Sequence, residues 1–89
     1  MLPVASRQVV YKAVADGAVL LHTETEVYYG LNRVGARVWE LLPPVSSTVD
    51  ELCEALQRSY PDATLEELRQ DVTELFDELI SYGLLEVAS

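Results

Sequence analysis

The run Glu26–Leu42 constrains the fold most, because an uncharged, strand-like segment passes within two residues into an amphipathic helix. Residues 27–31 combine a β-branched residue with two tyrosines, which is typical of a strand. Asn32 is a good N-cap, since its side chain can accept hydrogen bonds from the free N–H groups of a first helical turn. Apolar residues then recur at helical spacing up to Leu42, where a pair of prolines ends the helix.

Two further strands precede this run. Residues 9–14 are rich in β-branched and aromatic side chains, and the pair Asp16-Gly17 is a strong tight-turn signal. A second strand follows over residues 18–23. Short turns between neighbouring strands predict an antiparallel meander, in which residues 27–31 form the third strand.

Two further helices follow the run. Thr48 and Thr64 each begin a capping box, a threonine followed three residues later by a glutamate, and the third helix is predicted over roughly residues 64–82. Leu84–Val87 adds either a short strand or a packed tail. The order of three strands and three helices predicts one α+β domain over residues 1–89, with a three-stranded antiparallel sheet in a winged helix-turn-helix-like arrangement.

The net charge of -9 is carried entirely by residues 48–89, which hold eleven acids and two bases, whereas residues 1–47 hold four of each. Such a surface repels nucleic acid. Residues 64–82 contain six acids and one base, so a winged-helix transcription regulator is a disfavoured alternative. The sequence has no apolar run of ~20 residues, no signal-peptide pattern and a single cysteine, which predicts no membrane partner and a cytoplasmic location.

Residues that could carry catalysis or bind a metal are scarce. His22 is the only histidine and Cys53 the only cysteine, whereas a zinc site needs three or four such ligands. Cys53 falls on the apolar face of a predicted helix, where a buried, unreactive thiol is expected. The four glycines are scattered and form no phosphate-binding loop. We therefore expect no enzyme activity, no cofactor and no metal.

The third predicted strand favours peptide binding instead. It contains no charged residue and no proline that would protect its outer edge. An open edge beside helices can accept a peptide as an added strand. The alternative is that the two tyrosines pack on the core and that Leu84–Val87 covers the edge.

The third predicted helix has an apolar stripe wider than a small core requires. Its two flanks carry further apolar residues, Phe76 and Ile80 beside Arg69 and Thr73 on one flank, and Tyr82 beside Asp71 and Glu78 on the other. The extra width either lines a groove against the third strand or makes an ordinary helix contact.

Two segments resemble PqqD-like proteins, also called RiPP recognition elements, where RiPP denotes a ribosomally made, post-translationally modified peptide. The segments are Thr25–Asn32 and the Gly-Ala-Arg-Val-Trp-Glu-Leu-Leu sequence of residues 35–42. Asp71-Val72, Leu75 and Leu79, and the Tyr-Gly-Leu-Leu sequence of residues 82–85, match more loosely. Length and element order agree over nearly the whole chain.

The resemblance implies a fold of three strands followed by three helices, in which the leader segment of a precursor peptide adds antiparallel to the third strand and packs against the third helix. On this chain it implies a peptide-binding site formed by Val27, Tyr28, Tyr29, Gly30 and Leu31 of the strand and by Arg69, Val72, Thr73, Phe76 and Ile80 of the helix.

The aromatic form of the strand is most similar to the stand-alone recognition proteins of lasso peptide clusters. This similarity implies two partners, the leader region of a precursor peptide and a leader-removing cysteine protease or other RiPP-modifying enzyme, with a cyclase acting afterwards. A chaperone of the pyrroloquinoline quinone pathway is the alternative within the family. The sequence also leaves open a subunit that only stabilises its partner enzyme.

Overall fold

Three antiparallel strands followed by three helices form the body of the domain, which confirms the predicted α+β fold. The computed structural model of the protein describes residues 2–87, so Met1, Ala88 and Ser89 of the predicted domain lie outside the described residues. In chain order the elements are β1 (Val4–Ala5), β2 (Val9–Val14), β3 (Gly17–His22), β4 (Tyr28–Asn32), α1 (Arg33–Glu40), α2 (Val49–Ser59), α3 (Leu65–Ser81) and β5 (Leu85–Glu86).

The main sheet has the strand order β2-β3-β4, with antiparallel pairing throughout. Val14 lies opposite Gly17 across a tight turn at residues 15–16, one residue earlier than the predicted Asp16-Gly17 pair. On its other side Gly17 lies opposite Asn32, the last residue of β4. A Cβ atom at Gly17 would collide with the carbonyl oxygen of Leu31. A glycine is therefore required for β4 to approach β3 closely at this point.

A bulge shapes the connection from β3 to β4. The Glu26 N–H donates to the His22 carbonyl oxygen at 2.8 Å, and the His22 N–H donates to the Val27 carbonyl oxygen at 2.9 Å. Glu26 has a φ of 60°, the conformation expected at the first position of such a bulge after a short turn. The His22 ring nitrogen Nδ1 accepts from the Glu24 and Thr25 N–H groups. Together these bonds fix the register in which β4 leaves the turn.

Each helix begins at a predicted N-cap residue, although of the two predicted capping boxes only that of Thr64 and Glu67 has both bonds. The side chains of Asn32, Thr48 and Thr64 accept from the third residues of α1, α2 and α3 at 2.8, 3.1 and 3.1 Å. Because Asn32 is both the last residue of β4 and the N-cap of α1, the strand passes into the helix without a loop. No helix within residues 2–87 is long and apolar enough to cross a membrane.

The helices cover one face of the main sheet. α1 packs on β3 and β4, and α3 packs against α2. Alternate residues of β3 point toward the helices, whereas Val10 and Tyr28 stay exposed on the opposite face. The core between sheet and helices contains the most deeply buried large side chains, which are Leu2, Leu20, Val38, Leu52, Leu56, Val72, Leu79, Leu84 and Leu85.

The two ends of the described chain pair with each other. Val4 lies opposite Glu86 and Ala5 opposite Leu85 in a separate two-stranded antiparallel sheet. The sequence left open whether Leu84–Val87 forms a strand, packs as a tail or covers the edge of the third predicted strand. It forms β5 and pairs with β1. The interpretation in which it covers β4 is therefore wrong, because β1, which the sequence did not reveal, satisfies its backbone groups.

Candidate peptide-binding site

One edge of β4 presents backbone groups to a potential partner strand, since β3 is its only neighbour among the described strands. Hydrogen bonding alternates along an antiparallel pair. Because the Val27 carbonyl oxygen accepts a bond from β3, the alternation bonds Tyr29 and Leu31 to β3 as well. The N–H and C=O groups of Tyr28 and Gly30 therefore point to the open edge.

A groove between β4 and α3 runs next to this edge. It contains a hollow of about 310 Å³, which lies at the lower end of the range for small-ligand sites. The walls are mainly apolar and come from β4, the start of α1 and α3, namely Tyr29, Gly30, Leu31, Asn32, Val34, Gly35, Asp71 and Leu75. The hollow therefore suits an apolar side chain of a peptide bound at the edge.

Tyr29 connects the strand to the helix. Its ring lies against the ring of Tyr82, with centroids 5.7 Å apart and planes inclined at 53°, a favourable geometry for an aromatic pair. Burial and, secondly, the neighbouring Glu78 carboxylate raise the pKa of Tyr29 to about 12. The Tyr29 hydroxyl is therefore neutral at physiological pH. The side of α3 that faces β4 is thus the one that carries residues 71, 75, 78 and 82, which recur at helical spacing.

The predicted strand residues lie where a bound peptide strand would meet them. Val27 lies in the bulge, and the other four lie in β4. Leu31 is buried and Tyr29 half-buried on the helix side, whereas Tyr28 is 70% exposed on the opposite face of the sheet. An added strand would place its own side chains alternately on the same two faces. Binding by these residues stays a prediction.

Two of the predicted helix residues, Arg69 and Thr73, lie on a different side of α3 from the groove. Arg69 Nη2 lies 2.7 Å from Oδ1 of Asp50 in α2, and the Thr73 hydroxyl donates to the Arg69 carbonyl oxygen. Both line a separate shallow hollow. Arg69 and Thr73 thus lie on the opposite flank of the apolar stripe from the groove, and their role in peptide binding stays a prediction. Both flanks of α3 carry apolar residues. The flank with Arg69 packs toward α2, so the flank with Asp71 and Leu75 faces β4.

The other predicted helix residues form part of the core or lie against it. Val72 and Phe76 are 1% and 6% exposed, and Ile80 is half-buried against the same cluster. Their burial holds α3 in place behind the groove. A direct role of these three in peptide binding also stays a prediction. The sequence missed Leu75 as a groove residue because its spacing equally suits a core position.

His22 and Cys53, the two residues considered for nucleophilic catalysis, both lie in surroundings that suit a structural role. The His22 imidazole closes the turn before β4. Cys53 is fully buried, and burial raises the pKa of its thiol, which reduces the thiolate fraction needed for nucleophilic attack. Within residues 2–87, no group of three or more potential metal ligands is assembled.

An open strand edge beside a helix-lined groove defines a small α+β domain of the kind that binds an extended peptide by strand addition. Residues 17–85 match the protein family described as Coenzyme PQQ synthesis protein D (PqqD), and the chain belongs to this family. The solved structure "TbiB1 in Complex with the TbiA(beta) Leader Peptide" is similar with a TM-score of 0.85 and 30% sequence identity, over 97% of this chain and 98% of that one. No curated protein sequence matches.

Proposed function

We propose that the protein is a non-catalytic adaptor that binds the leader segment of a ribosomally made precursor peptide and delivers it to a processing enzyme in lasso peptide biosynthesis. The observation that carries this proposal is the open edge of β4 beside the groove. The chain that carries this edge has 30% sequence identity, over nearly its whole length, to a protein solved in complex with a leader peptide.

In the proposed complex the leader adds antiparallel to β4. Its backbone exchanges hydrogen bonds with the N–H and C=O groups of Tyr28 and Gly30. Backbone hydrogen bonds of this kind form with many peptide sequences. One leader side chain enters the hollow between Leu31 and Leu75, and its neighbours along the peptide point to the outer face beside Tyr28. The hollow therefore supplies selectivity, and the strand edge supplies affinity.

The adaptor role requires no chemistry from this chain. By holding the leader, the protein raises the effective concentration of the attached precursor at an enzyme that it also contacts. The proposed enzyme is a cysteine protease that removes the leader. A cyclase then acts on the released peptide. Burial of Cys53 and the structural role of His22 agree with a chain that leaves the reaction to its partner.

A leader-binding role in the pyrroloquinoline quinone pathway is the second candidate, because the name of the matching family refers to coenzyme PQQ synthesis. The two candidates share the mode of binding and differ in the precursor that is bound. They are therefore separated by the choice of peptide.

The test is a fluorescence-anisotropy titration of the purified protein with the labelled leader of the precursor encoded beside its gene. A scrambled peptide of the same composition is the matched control, and a pyrroloquinoline quinone precursor peptide tests the second candidate. We expect a Kd in the micromolar range or below, at least about tenfold tighter than for the scrambled peptide. Equal binding of all peptides, or none, contradicts leader recognition and favours a subunit that only stabilises its partner enzyme.

A further inference from the structure

The hollow beside β4 has one charged side chain in its wall. Of the eight lining residues, only Asp71 has an acidic or basic side chain. Leu75 lies one helical turn further along α3, so the carboxylate stands directly beside an apolar surface. A side chain that enters the hollow therefore meets apolar walls and one negative charge.

Nothing in the described part of the chain neutralises Asp71 by an ion pair. The three ion pairs found there join Arg33 to Asp16, Arg37 to Glu40 and Arg69 to Asp50. Glu78, the other acid on this side of α3, lies beside the Tyr29 hydroxyl. Asp71 is thus the carboxylate that the groove presents to a ligand.

We propose that Asp71 selects leader peptides that carry a lysine or arginine next to the apolar residue that fills the hollow. The inference rests on the proposed function and adds the charge that the groove prefers. The aliphatic stem of a lysine or arginine can pack on the apolar wall while its cationic head reaches the carboxylate. An aspartate or glutamate in the same place is rejected, because like charges repel and the surrounding helix is acidic.

A double-mutant cycle between protein and peptide tests this pairing. On the protein, Asp71→Asn removes the charge at nearly constant size. The matched control is Glu66→Gln, which removes one negative charge from the same helix at the wall of the separate hollow near Thr73. The probes are the leader encoded beside the gene and versions of it in which each lysine or arginine is replaced singly by glutamine.

We expect Asp71→Asn to weaken leader binding about two- to fivefold, the range of a solvent-exposed ion pair, and Glu66→Gln to leave it unchanged. One lysine or arginine replacement should weaken binding to the wild type by the same factor and have no further effect on Asp71→Asn. Equal losses in both protein variants, or no basic position coupled to Asp71, would overturn the inference. Failure of the wild type to bind the unmodified leader would instead refute the proposed function.

Discussion

Replacing Gly30 with proline removes one backbone N–H from the open edge of β4 and leaves the bonds between β3 and β4 in place. The alternation of hydrogen bonds points this N–H away from β3, and proline is tolerated on an edge strand at such a position. A Cβ atom at Gly30 meets no heavy atom within 4 Å. Tyr29, the preceding residue, is already extended in β4, as a residue before proline prefers.

The expected loss of binding follows from the bond that the peptide can no longer make. A hydrogen bond contributes about 1 kcal/mol net, and leaving the peptide carbonyl oxygen unpaired and partly desolvated costs about 1–3 kcal/mol. We expect a total of about 2 kcal/mol, which corresponds to a roughly thirtyfold higher Kd for the leader.

The assay is the anisotropy titration with the labelled leader, run on the wild type, Gly30→Pro and the control Gly30→Ala. The alanine variant keeps the N–H and has space for its methyl group, so its Kd should stay near that of the wild type. Circular dichroism and urea denaturation check that both variants fold. If folded Gly30→Pro binds as tightly as the wild type, the peptide does not use this edge and strand addition is wrong. If both variants bind equally weakly, the side chain and not the N–H is responsible.

Three further predictions concern the fold that supports the site. The raised pKa of Tyr29 stabilises the fold fully below the ordinary value of 10.0, and this contribution is lost as the pH rises through about 12. Urea denaturation at each pH should therefore show a steeper loss of stability over this window in the wild type than in Tyr29→Phe; parallel curves would contradict the pKa argument. Gly17→Ala should lower the free energy of unfolding by about 2 kcal/mol or more, because the new methyl group collides with the Leu31 carbonyl oxygen, with Gly30→Ala as the unstrained comparison. Thr64→Ala removes the N-cap of α3 and should cost about 1 kcal/mol, seen as a lower urea midpoint; an unchanged midpoint would show that α3 does not depend on this cap.

The sequence could predict the features that depend on near neighbours. The tight turn next to Gly17, the strand near residues 27–31 and the caps at Thr48 and Thr64 all follow from residues a few positions apart. Turn conformation, side-chain alternation and capping are short-range effects, so the residues themselves reveal them. The resemblance of residues 25–42 to PqqD-like proteins rests on this same local pattern, and the family match confirms it.

Only one of the two walls of the candidate site could be predicted from the sequence, because the walls come from different parts of the chain. The strand wall is continuous in sequence, so residues 27–31 identify it. The helix wall depends on which flank of the apolar stripe of α3 meets β4. The periodicity of the stripe is the same for both flanks, and the predicted residues Arg69 and Thr73 belong to the flank away from the groove.

Local sequence thus determined that this chain forms three strands and three capped helices with an uncharged third strand. Tertiary structure alone decided that the edge of this strand stays open, because β5 pairs with β1, and a strand of only two residues is too short to show an alternating pattern. It also decided which side of α3 lines the groove. Arg69 bonds to Asp50, a residue 19 positions away, and α2 occupies that flank. Contacts between residues far apart in sequence thus turned Asp71 and Leu75 toward β4.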